Sequence, residues 1–176
     1  MGKVILAFDP SLYKIAVAGI CSSSKEVLFT FRLRLLGLEK RRTGPSPLWV
    51  KEYFNLGVEA ANIIKEYGFN LNEACAVVED SPRGSRGFRT AQALVASRVV
   101  LEAALSSAGV VLLDRISPDA WFYSVVVEKS IGRVASKERK VMARMWASSL
   151  SQGSELVKLS EDEIDAIGIG YGAMRR

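Results

Sequence analysis

Short apolar runs closed by acids organise the first half of the chain. Val4-Ile5-Leu6-Ala7-Phe8 reads as a buried strand, ended by Asp9. Ile15 to Cys21 and Val27 to Leu35 read as two further strands, joined by a Ser22-Ser23-Ser24-Lys25 hairpin turn. Arg32 and Arg34 alternate with Phe31, Leu33 and Leu35, the pattern of a strand with one wet face. Gly37 to Pro47 is a loop rich in charge, Gly and Pro, and Ser46-Pro47 supplies an N-cap and a first helical residue. Apolar positions at Val50, Tyr53, Phe54, Ala61 and Ile64 predict a helix that Gly68 ends.

A second buried run, Ala74 to Val78, is closed by Glu79. Arg83 to Arg89 is a glycine-containing basic loop with one aromatic, and a helix follows over about Thr90 to Ser107. A short strand is expected at Val110 to Leu113, then a helix opened by Ser117-Pro118, and another capped by Ser136 and running to about Leu150. Ser160-Glu161-Asp162-Glu163 has the form of a capping box, which sets Asp162 and Asp165 in the first turn of a closing helix, on one face. Three antiparallel strands, helix, strand, helix, strand and helices predict an α/β fold: one mixed five-stranded sheet covered on both faces. No internal repeat or dividing linker is visible, so residues 1–176 are expected to form a single domain.

Composition narrows the function. The 176 residues carry a net charge of +5, with a pI near 9.3, a balance that favours a polyanionic partner. The bases are grouped: five between Arg32 and Arg42, four without any acid between Ser81 and Arg98, and six between Lys129 and Arg144. Acids concentrate between Glu155 and Asp165. The chain has no His, which excludes Ser-His-Asp and Cys-His hydrolases, His-metal sites and HNH-type nucleases. Cys21 and Cys75 form no metal-binding spacing and read as reduced thiols of a cytoplasmic protein. Asp9 interrupts the N-terminal apolar run too early for a signal peptide, and Arg98 and Glu102 break the longest apolar stretch, so no membrane span is expected.

Asp9, Glu79, Asp162 and Asp165 are the candidate chemistry. Brought together, four carboxylates repel unless hard cations such as Mg²⁺ lie between them, the construction used for two-metal phosphodiester hydrolysis. Each acid also has an ordinary explanation. Asp9 could make a turn, Glu79 could end a strand in solvent with Asp80 competing for its role, and first-turn acids suit the helix dipole. Arg83, Arg86 and Arg89 follow Glu79 closely enough to hold backbone phosphates, and Phe88 could stack on an unpaired base, the alternative being a solvated loop. Lys40-Arg41-Arg42 reads first as a solvated loop, and Trp121, Phe122 and Trp146 as core or dimer interface.

These motifs resemble, in order, those of RuvC-type Holliday junction resolvases, of the ribonuclease H-like superfamily. Ile5-Leu6-Ala7-Phe8-Asp9-Pro10-Ser11 is similar to the family's opening strand and Asp-Pro-Gly turn, and Val77-Val78-Glu79 to its strand bearing the catalytic Glu. Ser117-Pro118 to Val127, then Gly132 to Glu138, resemble its Pro-initiated helix and Gly-x-x-x-x-Lys loop, and Asp162 to Ile169 its closing helix. The chain departs at Ser11, where the family has Gly, and after Glu79, where Pro82 replaces a nearby aromatic and Phe88 comes later.

The resemblance implies a structure-selective endodeoxyribonuclease acting on four-way DNA as a homodimer, with two symmetric sites for two symmetric cuts. It implies two Mg²⁺ ions per site, replaceable by Mn²⁺, and products with 5′-phosphate and 3′-hydroxyl ends. Asp9 would bridge both ions, Glu79 hold one, and Asp165 the other with help from Asp162. Lys137 is similar to a basic residue beside the scissile phosphate, and Arg139 and Lys140 continue the basic helix on the DNA side. Three rivals stand beside this: a ribonuclease H-like nuclease on structured or precursor RNA, as in YqgF-like proteins; a non-catalytic nucleic-acid-binding module; and an actin-like ATPase, for which the chain is too short.

Overall fold

The computed structural model describes residues 3–36, 46–80, 88–127, 134–150 and 159–176. Lys40-Arg41-Arg42, Arg83, Arg86 and Gly132-Arg133 lie outside the described residues, as do the side chains of Phe88 and Arg89.

Five strands form one sheet: β1 (Val4–Pro10), β2 (Lys14–Cys21), β3 (Val27–Arg34), β4 (Cys75–Glu79) and β5 (Val111–Ile116), in the order β3-β2-β1-β4-β5. β1 pairs antiparallel with β2 and parallel with β4, β2–β3 is antiparallel, and β4–β5 is parallel. The strand that ends in Asp9 is therefore the central one. The serine turn closes between β2 and β3, with Lys25 at φ 62° and its N–H donated to the Cys21 carbonyl.

Alternation sorts the two faces. Leu6, Phe8, Ile15, Val17, Ala76 and Val78 point into one core with α1 (Pro47–Glu66) and α2 (Phe88–Ser107). In α1 the buried positions Tyr53, Leu56, Gly57, Ala60, Ala61 and Ile64 make a single stripe. Gly57 lets α2 approach, since a Cβ there would lie 2.6 Å from the Ala104 Cβ. Ile5, Ala7, Cys75 and Val77 point the other way, toward α3 (Pro118–Val125), α4 (Ser136–Leu150) and α5 (Glu161–Met174). α5 lies directly on the sheet: a Cβ on Gly170 would fall 2.5 Å from Ile20 Cδ1 and 3.2 Å from the Ala7 Cβ.

The Ser46, Ser117 and Ser160 hydroxyls each accept a backbone N–H at their helix starts, and the Ser160–Glu163 capping box is complete. Three boundaries differ from expectation. α2 begins at Phe88, so Phe88 and Arg89 belong to its first turn and not to a loop. Ser136 is the first residue of α4, and the Ala135 carbonyl accepts the first helical bond. β5 runs from Val111 to Ile116, past the expected end at Leu113, with all its residues exposed except Ile116. Among the described residues no helix is long and apolar enough to cross a membrane.

Candidate active site

The same alternation aims the acids. Asp9 follows Ile5 and Ala7 on the α5 side of β1, and Glu79 follows Cys75 and Val77 on the same side of β4. Phe8 and Val78 are register partners, so one step further the two carboxylates stand on adjacent strands at the sheet's end. α5 crosses that face, and its capping box fixes where its start meets the sheet, with Asp162 in the first turn and Asp165, expected there too, one step into the second. All four acids line one cleft of about 1120 Å³, between the ends of β1 and β4, the start of α3, and α4 and α5.

Crowding shows in their protonation. Asp9 is pushed up to about 7, first by burial, then by the Asp162 charge, while a hydrogen bond from Glu79 and the Lys14 charge pull it back. Glu79 is raised well above the carboxylate range by burial and by the charges of Asp9 and Asp165. Asp165 is pushed up to about 7 by burial, then by Asp9, Asp162 and Glu161. Three acids held this far above their ordinary range mark a site short of positive charge.

Neighbouring groups hold the acids in place. The turn after Asp9 is tied to α1: Trp49 Nε1 donates to the Leu12 carbonyl at 2.8 Å and the Tyr53 hydroxyl to the Ser11 carbonyl at 2.8 Å. Burial and the Asp9 charge push the Tyr53 phenol above its usual range, keeping it a donor. The Ser11 N–H donates to the Lys14 carbonyl at 2.9 Å, and Ser11 has no positive φ, so this turn does not need Gly. Trp121 Nε1 donates to Glu79 Oε1 over 3.4 Å. Asp80, the rival of Glu79, pairs with Arg98, which leaves Glu79 as the acid facing Asp9 and Asp165.

The bases divide. Arg139 lines the cleft, but its guanidinium pairs with Asp119 at 2.5 Å, reaches the Pro118 carbonyl at 3.1 Å and lies 4.5 Å over the Phe122 ring. It clamps α4 to α3. Lys140 is exposed and pairs with Glu161 at 2.6 Å, and Lys137 is exposed on α4. The pattern along the chain carries no sign of Lys14, whose Nζ stands 2.5 Å from Asp162 Oδ2. Trp121, read from sequence as core or interface, packs in the core while its N–H reaches Glu79. A legible hint was the pair Gly168 and Gly172, four apart in α5, which a bulky neighbour demands: Cβ atoms there would lie 2.4 Å and 2.8 Å from Trp121. Gly168 opens space for α3, Gly170 for the sheet at Ile20 and Ala7, and Gly172 for both α3 and Ile116 of β5.

Among the described residues no three His, Cys, Asp or Glu side chains are arranged to enclose a metal ion as they stand. The donor chemistry fits one. Asp9, Glu79, Asp162 and Asp165 offer only hard carboxylate oxygens, suited to Mg²⁺ or Mn²⁺, and a cation would relieve the repulsion that raises Asp9, Glu79 and Asp165.

No family profile matches the chain, and no curated protein matches its sequence. Solved structures do. RuvC from Thermus thermophilus, in complex with a Holliday junction substrate, superposes with a TM-score of 0.64 over 98% of this chain and 93% of that one, at 14% identity. A second T. thermophilus RuvC structure gives 0.64 over 97% and 93%, at 15% identity. The chain has the α/β, ribonuclease H-like fold of RuvC resolvases along nearly its whole length.

Proposed function

We propose that this chain is a metal-dependent, structure-selective DNA endonuclease of the Holliday junction resolvase type, with residues 1–176 forming a single nuclease domain. One observation carries the reading. Acids from the ends of two parallel strands and the first two turns of α5 meet in one cleft, on a fold similar to RuvC, with three of them held far above the carboxylate range.

Asp9, Glu79, Asp162 and Asp165 are the proposed ligands, Asp9 central because its strand lies mid-sheet with acids on both sides. Two Mg²⁺ ions, or Mn²⁺, would supply when bound an activated water and compensation for charge on the leaving 3′-oxygen, giving 5′-phosphate and 3′-hydroxyl ends. The protein's part is positional. Trp121 orients Glu79, Tyr53 and Trp49 fix the turn below Asp9, and the Ser160–Glu163 box fixes Asp162 and Asp165. Lys137 and Lys140, exposed on α4, are the proposed phosphate contacts, together with Arg83, Arg86 and Arg89 beyond Glu79, while Phe88 is proposed to stack on an unpaired base. Arg139 acts by holding α4. A homodimer follows from the two-fold symmetry of a junction cut at two points.

The test is cleavage of an end-labelled four-way junction with Mg²⁺ or EDTA, beside linear duplex and the Asp9→Asn variant. Paired, metal-dependent nicks that vanish in Asp9→Asn support the reading. Equal cutting of duplex removes junction selectivity. Tight junction binding with no cutting under any divalent ion leaves a binding module on the same fold.

A further inference from the structure

One cation already stands among the acids. Lys14 opens β2, and its ammonium lies 2.5 Å from Asp162 Oδ2, both side chains being only partly exposed, at 34% and 22%. Its charge acts on Asp9 as well, opposing the rise that burial and Asp162 impose. Lys14 therefore neutralises Asp162, an acid that a second metal ion would need. The ammonium on Oδ2 repels a divalent ion approaching the same carboxylate, so the two oppose each other at Asp162.

Lys14 also has somewhere else to go. It lines a second, smaller groove of about 420 Å³ next to the acid cleft, together with Arg34, Thr90 and the Ser11–Tyr13 turn. Lys14 and Arg34 are register partners on β2 and β3, and Arg34 is exposed, so two bases stand side by side at the end of the sheet. A backbone phosphate in that groove would offer Lys14 a monoanionic partner in a groove its flexible four-carbon stem already lines.

We infer that Lys14 gates metal loading: its ammonium occupies Asp162 until a backbone phosphate beside Arg34 draws it away, so that the ion requiring Asp162 enters together with substrate. The inference rests on the nuclease reading. It makes Lys14 a positioning residue with two stations, counterion to Asp162 in the free protein and phosphate contact in the complex. The device keeps the free protein from holding a fully loaded, hydrolytic centre.

The experiment counts ions. Mn²⁺ is titrated into the full chain and the free ion followed by its paramagnetic signal, for the wild type, Lys14→Met and Lys14→Arg. Thermal melts confirm that each variant folds, and Lys14→Gln replaces Lys14→Met if that variant does not. The wild type and Lys14→Arg are expected to bind one ion well and a second at least about tenfold more weakly, whereas Lys14→Met binds two of similar affinity. A parallel titration with Ca²⁺ and a four-way junction is expected to tighten the second site about tenfold in the wild type and not in Lys14→Met. Identical titrations for wild type and Lys14→Met, or an equal effect of the junction on both, overturn the gate while leaving the nuclease reading intact. No ion bound by any of the proteins overturns both.

Discussion

Gly168 lies against the face of the Trp121 ring with no room for a methyl group, a Cβ there falling 2.4 Å from Trp121 Cε3 and Cζ3 and 3.0 Å from Cδ2. This contact governs the active site at one remove, because the same indole donates its N–H to Glu79. Gly168→Ala must push Trp121 back and is expected to cost about 2 kcal/mol of stability. Trp121→Phe keeps most of the packing but removes the donor, and is expected to weaken Mn²⁺ binding about tenfold. Melting curves and Mn²⁺ titration of the two variants check this. Unchanged Mn²⁺ affinity in a folded Trp121→Phe would confine the indole to packing.

Metal-free stability should depend on pH with an unusual sign. Asp9 and Asp165 sit near 7 when folded, against 3.8 in their ordinary state. The folded protein therefore holds protons that the unfolded chain releases, and stability falls as pH rises from about 4 to about 7 and stays low above it. In EDTA the Tm should drop between pH 5 and pH 8. Asp9→Asn should flatten that slope and raise the pH 8 Tm by about 4 °C, a gain of between about 1 and 2 kcal/mol at this chain length. A Tm that rises over the same interval would contradict the crowding of these acids.

Adjacent acids should behave oppositely. Glu79→Gln is expected to abolish junction cutting while leaving or improving metal-free stability, since it removes an acid already driven toward its neutral form. Asp80→Asn strips a charged partner from the mostly buried Arg98 and should cost about 2 kcal/mol with cutting retained. Loss of cutting in a folded Asp80→Asn with activity kept in Glu79→Gln would reverse the assignment.

The bases of α4 should separate into clamp and contact. Arg139→Ala loses an ion pair, a carbonyl contact and a ring stack, and should lower stability by about 1–2 kcal/mol, with Arg139→Lys a poor rescue. Lys137→Ala should leave the Tm unchanged, weaken junction binding and reduce its salt slope by about one. Melts and salt-dependent binding of the pair give the check. A drop in salt slope for Arg139→Ala without loss of Tm would place that guanidinium on DNA instead.

Strands β1 to β4 and the caps at Ser46, Ser117 and Ser160 were legible in the chain because their causes are local: an apolar run, an alternation, a hydroxyl before a turn of helix. The order of the acids was legible too, as was the ring of elements that could bring them together. Charges and partners across the fold were not. Whether Glu79 or Asp80 faces Asp9 depends on strand parity and on Arg98, eighteen residues further on, and the role of Arg139 depends on Asp119 and Phe122 in another helix. That β5 forms a sheet edge is a property of sheet order and not of its residues. Lys14 and Asp162 lie 148 positions apart, and no periodicity links them. Local propensity decides what each segment becomes. Long-range pairing alone decides which charges meet, because Coulomb and hydrogen-bond energies act through space and leave no pattern along the chain.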